Sequence, residues 1–263
     1  MKDLVLNVGN STLGGAFFED DALVETFHLP SRPLSDVNFA SFIKGKKIRH
    51  ALVGADNLNA GHVVKKVLTE HKIAHSFVSS EKLSVVLDVE KPEEVGADRI
   101  ANTYGALYAH PGKNAIVIDM GTAVTFDVIS KMRKFLGGAI YPGLYMSAKA
   151  LKDGTDKLPL VPIEKPRDCL SRSTVGNIQS GLYYGLIGSI EKIIHVIIQS
   201  RFKTDAVVVI ATGGLASDRP DSLVSAKFRQ DLEEDLKGIV HFFEPDLTFV
   251  GLHQILKELN IRS

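Results

Sequence analysis

One cysteine, Cys169, stands in 263 residues. That excludes an intrachain disulfide and leaves a small, packed hydrophobe as the expected role of the thiol. No CxxC pair occurs. The one histidine pair at HExxH spacing, His71 and His75, has Lys72 where the glutamate would stand. The chain leaves a helix and enters a strand there, so the two rings need not share a face, and no zinc site is expected. No GxxxxGK[ST] and no GxSxG appears, which argues against a Walker loop and a hydrolase elbow. Net charge is missing too: Lys plus Arg equals Asp plus Glu, 31 each. No positive field favours nucleic acid or an anionic membrane surface as partner. No apolar stretch reaches the roughly 18 residues that span a bilayer. The first residues lack the basic segment and apolar core of a signal peptide, so a soluble, cytoplasmic protein is expected.

What is present is a globular composition, 44% hydrophobic and 24% charged, long enough for one large or two ordinary domains. Strand-like runs lie at Leu4–Val8, Gly15–Glu19, Leu23–His28, His50–Val53, His75–Val78 and Ser84–Val89. Between them, His62–His71 repeats Val63, Val64, Val67 and Leu68 on one helical face. A helix over Asp98–His110 ends at His-Pro-Gly. A second strand series follows at Ala115–Asp119, Val124–Ile129 and Phe135–Ile140, then a turn at Tyr141-Pro142-Gly143 into a helix. Residues 152–168 read as an irregular connection, Thr174–Gln199 as a long helix, Ala206–Ala211 as a buried strand, and Leu247–Leu259 as the last helix.

The two series echo one another. LVLNVGNST at 4–12 aligns with IVIDMGTAV at 116–124, placing Gly9 over Gly121 and Asn7 over Asp119. One reading is an α/β chain with two similar halves. The sharper one is two facing domains, each carrying a phosphate loop and closing on a nucleotide. The first copy has a gap: such a loop normally follows a carboxylate that helps manage the nucleotide's metal ion, and position 7 is asparagine.

Four motifs bear on chemistry. In DMGTAVT, Gly121 suits a loop whose backbone N–H groups point at phosphate oxygens, Thr122 and Thr125 add hydroxyls, and Asp119 is placed to hold a cation. The same residues also suit a hairpin whose Asp and Thr bond only their own turn. In VGADRIAN, Asp98 and Arg99 open a helix. An acid there complements the helix dipole. It could also take a proton from a substrate hydroxyl while Arg99 grips a carboxylate. GGAIYPG and ATGGLA put glycines after apolar runs, either for a nucleotide to approach the backbone or for a tight connection.

Taken together, NVGNS, EKPEEVGADRIAN, VIDMGTAVTFDVI, FLGGAIYPGL, STVGNIQSGLYYG, VIATGGLA and PDLTFVGL resemble the type III pantothenate kinases, in order and spacing over nearly the whole chain. That family belongs to the superfamily of actin, sugar kinases and heat-shock chaperone ATPases. The resemblance implies an α/β fold of two ribonuclease-H-like domains with a nucleotide cleft, here 1–114 and 115–263. It implies a homodimer that phosphorylates pantothenate at its 4′-hydroxyl with ATP, Mg²⁺ and a monovalent cation, K⁺ or NH₄⁺, in the first step of coenzyme A biosynthesis. By matching position, Asp98 is the catalytic base. Gly96 and Arg99 bind pantothenate, and Thr174 reaches it from the neighbouring subunit. Asp119 holds the monovalent cation. Asn7, Gly9, Asn10 and Ser11 form the first phosphate loop, and Gly121, Thr122 and Thr125 lie in the second. Phosphoryl transfer is largely positioning and charge neutralisation, which these parts would supply.

Three positions depart from the family pattern Asp-x-Gly-Asn-Thr and its aromatic substrate contact: Asn7, Ser11 and Val89. Serine keeps the hydroxyl. Asn7 keeps an oxygen but loses the charge that helps hold Mg²⁺, and Val89 cannot make a tyrosine's hydrogen bond. Three readings follow. Asn7 coordinates weakly or through water, with reduced activity. Asp56, expected at the carboxyl edge of the neighbouring strand, compensates. Or the chain is a non-catalytic relative that binds a small molecule as a regulator.

Overall fold

A computed structural model describes residues 1–203, 205–216, 224–225 and 227–261. In chain order its main elements are β1 (Lys2–Val8), β2 (Thr12–Glu19), β3 (Ala22–Pro30), α1 (Asp36–Ile43), β4 (Ile48–Ala55), α2 (Leu58–Glu70), β5 (His75–Phe77), β6 (Val86–Leu87) and α3 (Ala97–Ala109). There follow β7 (Asn114–Met120), β8 (Ala123–Ser130), β9 (Lys134–Pro142), α4 (Leu144–Asp153), α5 (Thr174–Ile197), β10 (Val207–Thr212), α6 (Phe228–Asp235), β11 (Phe242–Phe243) and α7 (Leu247–Ile261). Two compact units result. The first is Met1–Gly112 with Ser130–Gly137 and Asp246–Ser263; the second is Lys113–Ile129 with Gly138–Pro245.

The first unit is built on a sheet in the order β3-β2-β1-β4-β5. β1 lies antiparallel to β2 and parallel to β4, so it is central and buried on both faces. Alternation sends Leu4, Leu6 and Val8 to one face, where they pack with Phe39 and Ile43 of α1 and Val64, Val67 and Leu68 of α2. Asp3, Val5 and Asn7 therefore share the other face, on which α7 lies. α7 in turn crosses α3 closely: a Cβ on Gly251 would fall 1.8 Å from the Ala101 carbonyl oxygen. The Val86–Leu87 strand is shorter than the expected 84–89 because only those two residues pair, in parallel, with Lys134 and Phe135.

The second unit carries strands in the order β11-β10-β7-β8-β9. β7 is antiparallel to β8 and parallel to β10, with Asp119 opposite Thr125 on one side and Thr212 on the other. α5 turns Ile178, Tyr183, Leu186, Ile187, Ile190 and Ile194 into this unit's core, at helical spacing. It continues through a π-helical turn at Ile198–Phe202. By length and composition this stretch, Thr174–Phe202 at a mean hydropathy of 1.3, is long and apolar enough to cross a membrane, which the residue-by-residue reading did not register. Its buried isoleucine row packs into this unit's core, while 28% of its most apolar window is buried in all. Cys169 corrects another expectation. Its residue is exposed, on the irregular connection before α5, where Ser180 donates to its carbonyl at 2.5 Å.

Candidate active site

In the first unit the turn after β1 is three residues, Gly9-Asn10-Ser11, closed by the Gly9 N–H donating to the Thr12 carbonyl at 3.0 Å. Asn7 ends the strand's inner face, opposite Gly14 of β2 and Gly54 of β4. Its Oδ1 is buried and has no hydrogen-bond partner among the described residues. A buried amide oxygen left without a donor is costly unless a ligand, water or cation completes it. Two neighbours of this loop escaped the sequence reading. The Ser31 N–H donates to the Ser11 carbonyl at 2.9 Å, and Arg32 Nη2 lies 3.5 Å from Asn10 Oδ1. Nothing in the sequence marks them, because the β2–β3 register alone, with Thr12 opposite Pro30, brings them there.

The GADR segment opens α3. Gly96 is the N-cap residue, with no side chain to cap the helix, and Asp98 and Arg99 occupy the first turn. Asp98 Oδ1 accepts from the Arg99 N–H at 2.7 Å. The Arg99 guanidinium carbon lies 5.1 Å from the centre of the Phe135 ring, a cation–π distance. Val89 packs nearby in the same unit, 3.6 Å from where a Cβ of Gly137 would stand.

Asp56 lies where expected, just past the end of β4, but its carboxylate is engaged. Oδ1 accepts from the Ala97 N–H at 2.9 Å and Oδ2 from the Asp98 N–H at 3.4 Å. Burial pushes its carboxyl above the usual carboxylate range, and these two backbone donors pull the other way. Its own N–H donates to the Val8 carbonyl at 3.0 Å. Asp56 thus ties the end of β1 to the start of α3.

In the second unit the turn after β7 is shorter, Gly121-Thr122. As at Gly9, the first N–H of the turn closes it: Gly121 donates to the Ala123 carbonyl at 3.0 Å. A Cβ on Gly121 would meet only ordinary contacts, at 3.6 Å from Asp119 Oδ1 and 3.7 Å from the Ala123 carbonyl oxygen, so space alone does not demand glycine here. The two other glycine motifs close onto this loop. Gly213 has φ +91°, and a Cβ there would lie 2.3 Å from Asp119 Oδ1. A Cβ on Gly143 would lie 2.3 Å from the Thr122 carbonyl oxygen. Both are tight connections, and both wrap the second loop. Thr125 Oγ1 is buried without a hydrogen-bond partner among the described residues. Thr174 stands at the exposed start of α5, behind its N-cap Ser173. Among the described residues no group of three or more His, Cys, Asp or Glu could hold a metal. His71 caps α2 and His75 begins β5.

Two α/β units, each with a central strand that ends in a polar residue and a glycine turn, define a fold class shared with a solved structure of Lmo2764, a putative N-acetylmannosamine kinase from Listeria monocytogenes (TM-score 0.53, 10% identity, 100% of both chains). The fold agrees with solved structures of a Baf family protein from Campylobacter jejuni (TM-score 0.60, 21% identity, 98% of this chain and 99% of that one) and of ethanolamine utilization protein EutJ from Carboxydothermus hydrogenoformans (TM-score 0.54, 14% identity, 96% and 89%). Within that class the chain belongs to the type III pantothenate kinase family, whose model matches residues 3–196. It is 36% identical to the type III pantothenate kinase of Legionella pneumophila strain Corby over 260 residues, 95% of this chain and 96% of that one. Against type III pantothenate kinase 1 of Francisella tularensis subsp. holarctica strain OSU18 it is 35% identical over 223 residues, 80% and 87%.

Proposed function

We propose that this chain transfers the γ-phosphoryl group of ATP to the 4′-hydroxyl of pantothenate, in the cytoplasm, as the first step of coenzyme A biosynthesis. The observation that carries the reading is the first turn of α3 in a member of this family: an acid and an arginine side by side, held from below by Asp56. Asp98 takes the hydroxyl proton, the freed oxygen bonds to the γ-phosphorus, and the bond to the bridging oxygen breaks to release ADP. Arg99 clamps the pantothenate carboxylate, and Gly96 lines the same site. Gly9, Asn10 and Ser11, and Gly121, Thr122 and Thr125, are phosphate-holding elements for ATP.

The residues fit the expected ions in a particular way. The partnerless Asn7 Oδ1 suits one oxygen ligand, direct or through water, to a Mg²⁺ held mainly by the ATP phosphates. Mg²⁺, when bound, neutralises charge on the transferring group. Asp119 is the residue for K⁺ or NH₄⁺. Thr174 completes a site in a partner subunit, so the working form is a homodimer. Support for that comes from α5, where, among the described residues, nothing lies within 4 Å of the Cβ positions of Gly181, Gly185 and Gly188, beside the exposed Tyr184.

Purified protein with ATP, Mg²⁺ and K⁺, with and without pantothenate, should release ADP only when pantothenate is present. No pantothenate-dependent release at Mg²⁺ up to about tens of millimolar would overturn this reading. The neutral Asn7 would then mark a non-catalytic relative that binds a small molecule.

A further inference from the structure

A helix N-terminus leaves backbone N–H groups without partners, and a side chain at the N-cap position usually accepts from one of them. At α3 that position is Gly96, which has no side chain to offer. The reason is steric. A Cβ on Gly96 would lie 2.7 Å from Asp98 Oδ1 and 2.9 Å from Asp56 Oδ1, so both carboxylate oxygens crowd the same point. Capping has passed to a residue more than forty positions away. Asp56 accepts from Ala97 and Asp98 with its two oxygens, while its own N–H and that of Asn57 both donate to the Val8 carbonyl, at 3.0 and 3.1 Å. Asn57 in turn is buried and caps α2 through Ala60. The Asp56 backbone is therefore pinned at the exit of the first phosphate loop's strand, and its carboxylate grips the peptide N–H of Asp98 itself.

We propose that Asp56 is a positioning residue for the reaction: it sets the first turn of α3, and with it the Asp98 carboxylate, relative to the first phosphate loop. The proposal rests on Asp98 being the base. It differs from the compensating-acid reading, in which Asp56 holds the metal: here its two oxygens act on backbone N–H groups of one helix turn. A carboxylate that holds two amides of one helix turn governs where that turn's side chains point. Small displacements of a reacting group carry large rate penalties.

The test compares Asp56→Ala, Asp56→Asn and Asp98→Asn with the native protein, by steady-state kinetics over ATP, pantothenate and Mg²⁺ and by amide exchange at Ala97 and Asp98. Asp56→Ala should lower kcat about 10- to 100-fold. KM for ATP and the Mg²⁺ half-saturation should stay within about twofold, as expected of a group that orients but does not bind the nucleotide. Exchange at Ala97 and Asp98 should speed at least about tenfold while the rest of α3 stays protected. Asp56→Asn keeps an amide oxygen for the shorter bond and should recover most of kcat. A raised Mg²⁺ requirement in Asp56→Ala would overturn the proposal in favour of metal binding. An unchanged kcat, unchanged exchange, or equal loss in the alanine and asparagine variants would overturn it as well. Full turnover in Asp98→Asn would instead remove the base assignment on which the proposal stands. An inactive Asp98→Asn beside a fully active Asp56→Ala would remove this proposal alone.

Discussion

At the scale of single residues, Asn7 sets the question of catalytic strength. It ends β1 with a buried oxygen that has no hydrogen-bond partner among the described residues, and no charge. Restoring the charge should strengthen metal binding, so Asn7→Asp should lower the Mg²⁺ concentration for half-maximal ADP release several-fold; an unchanged requirement would show that position 7 does not meet the metal. The first-turn residues Asp98 and Arg99 were legible from GADR, as was the strand-end place of Asp119. The grip of Asp56 on Ala97 and Asp98 was not. A turn aspartate in Gly-Ala-Asp-Asn looks the same whether it faces solvent, a metal or a helix end, and the choice is made by where α3 docks. Ser31 and Arg32 were invisible because the β2–β3 register brings them to the first loop. Cys169 shows the limit from the other side: a lone cysteine is buried in most chains, but here it falls on a connection whose backbone supplies Ser180 with an acceptor.

At the scale of elements, glycine spacing decides how α3 and α7 meet. Both Gly105 and Gly251 lie inside helices, where glycine costs roughly 1 kcal/mol against alanine. Each is needed at the crossing: a Cβ on Gly105 would fall 2.6 Å from the Leu247 carbonyl oxygen, and one on Gly251 1.8 Å from that of Ala101. Backbone atoms cannot yield as side chains do, so Gly251→Ala should cost about 3 kcal/mol and lower Tm by roughly 6–12 °C in a thermal scan. α7 also carries His253, which is buried, stacked on Phe18 at 4.1 Å, with Nε2 3.6 Å from Asp3 and 4.0 Å from Asp21. Arg49 holds Asp3, and Lys257 holds Asp21 at 2.8 Å. Burial pushes the imidazole below its usual value, against the pull of Asp3 and Asp21. A group depressed in the folded state contributes stability above its unfolded value, about 6.5, and loses that contribution as pH falls through the folded value. Tm measured from pH 8 down to 5 should therefore fall on the acid side, and His253→Phe, which keeps the stack, should flatten that fall. Equal slopes would show that another group carries the acid sensitivity. Most elements were readable from period and punctuation. α1, α6 and β11 were not singled out, being short or weakly patterned.

At the scale of the whole molecule, the chain's two compact units are not simple halves: α7, the last helix, belongs with the first unit's sheet. Among the described residues, nothing lies within 4 Å of the Cβ positions of Gly181, Gly185 and Gly188 on α5. If a second copy docks there, light scattering on a sizing column should give twice 28.6 kDa. Gly185→Leu places a side chain where nothing lies within 4 Å, so it should leave the protein folded and shift it to monomer. A dimer unaffected by that change would place the contact elsewhere. By itself the sequence determined the strand–turn–strand echo, the order of the motifs and, through them, the family, because periodicity and turn chemistry act over a few residues. Tertiary structure alone decided which side chains meet: Asp56 with the α3 N-terminus, Gly213 with Asp119, Gly251 with Ala101. Those pairings span from about forty to a hundred and fifty positions, and they follow from sheet register and helix docking, for which local sequence carries no mark.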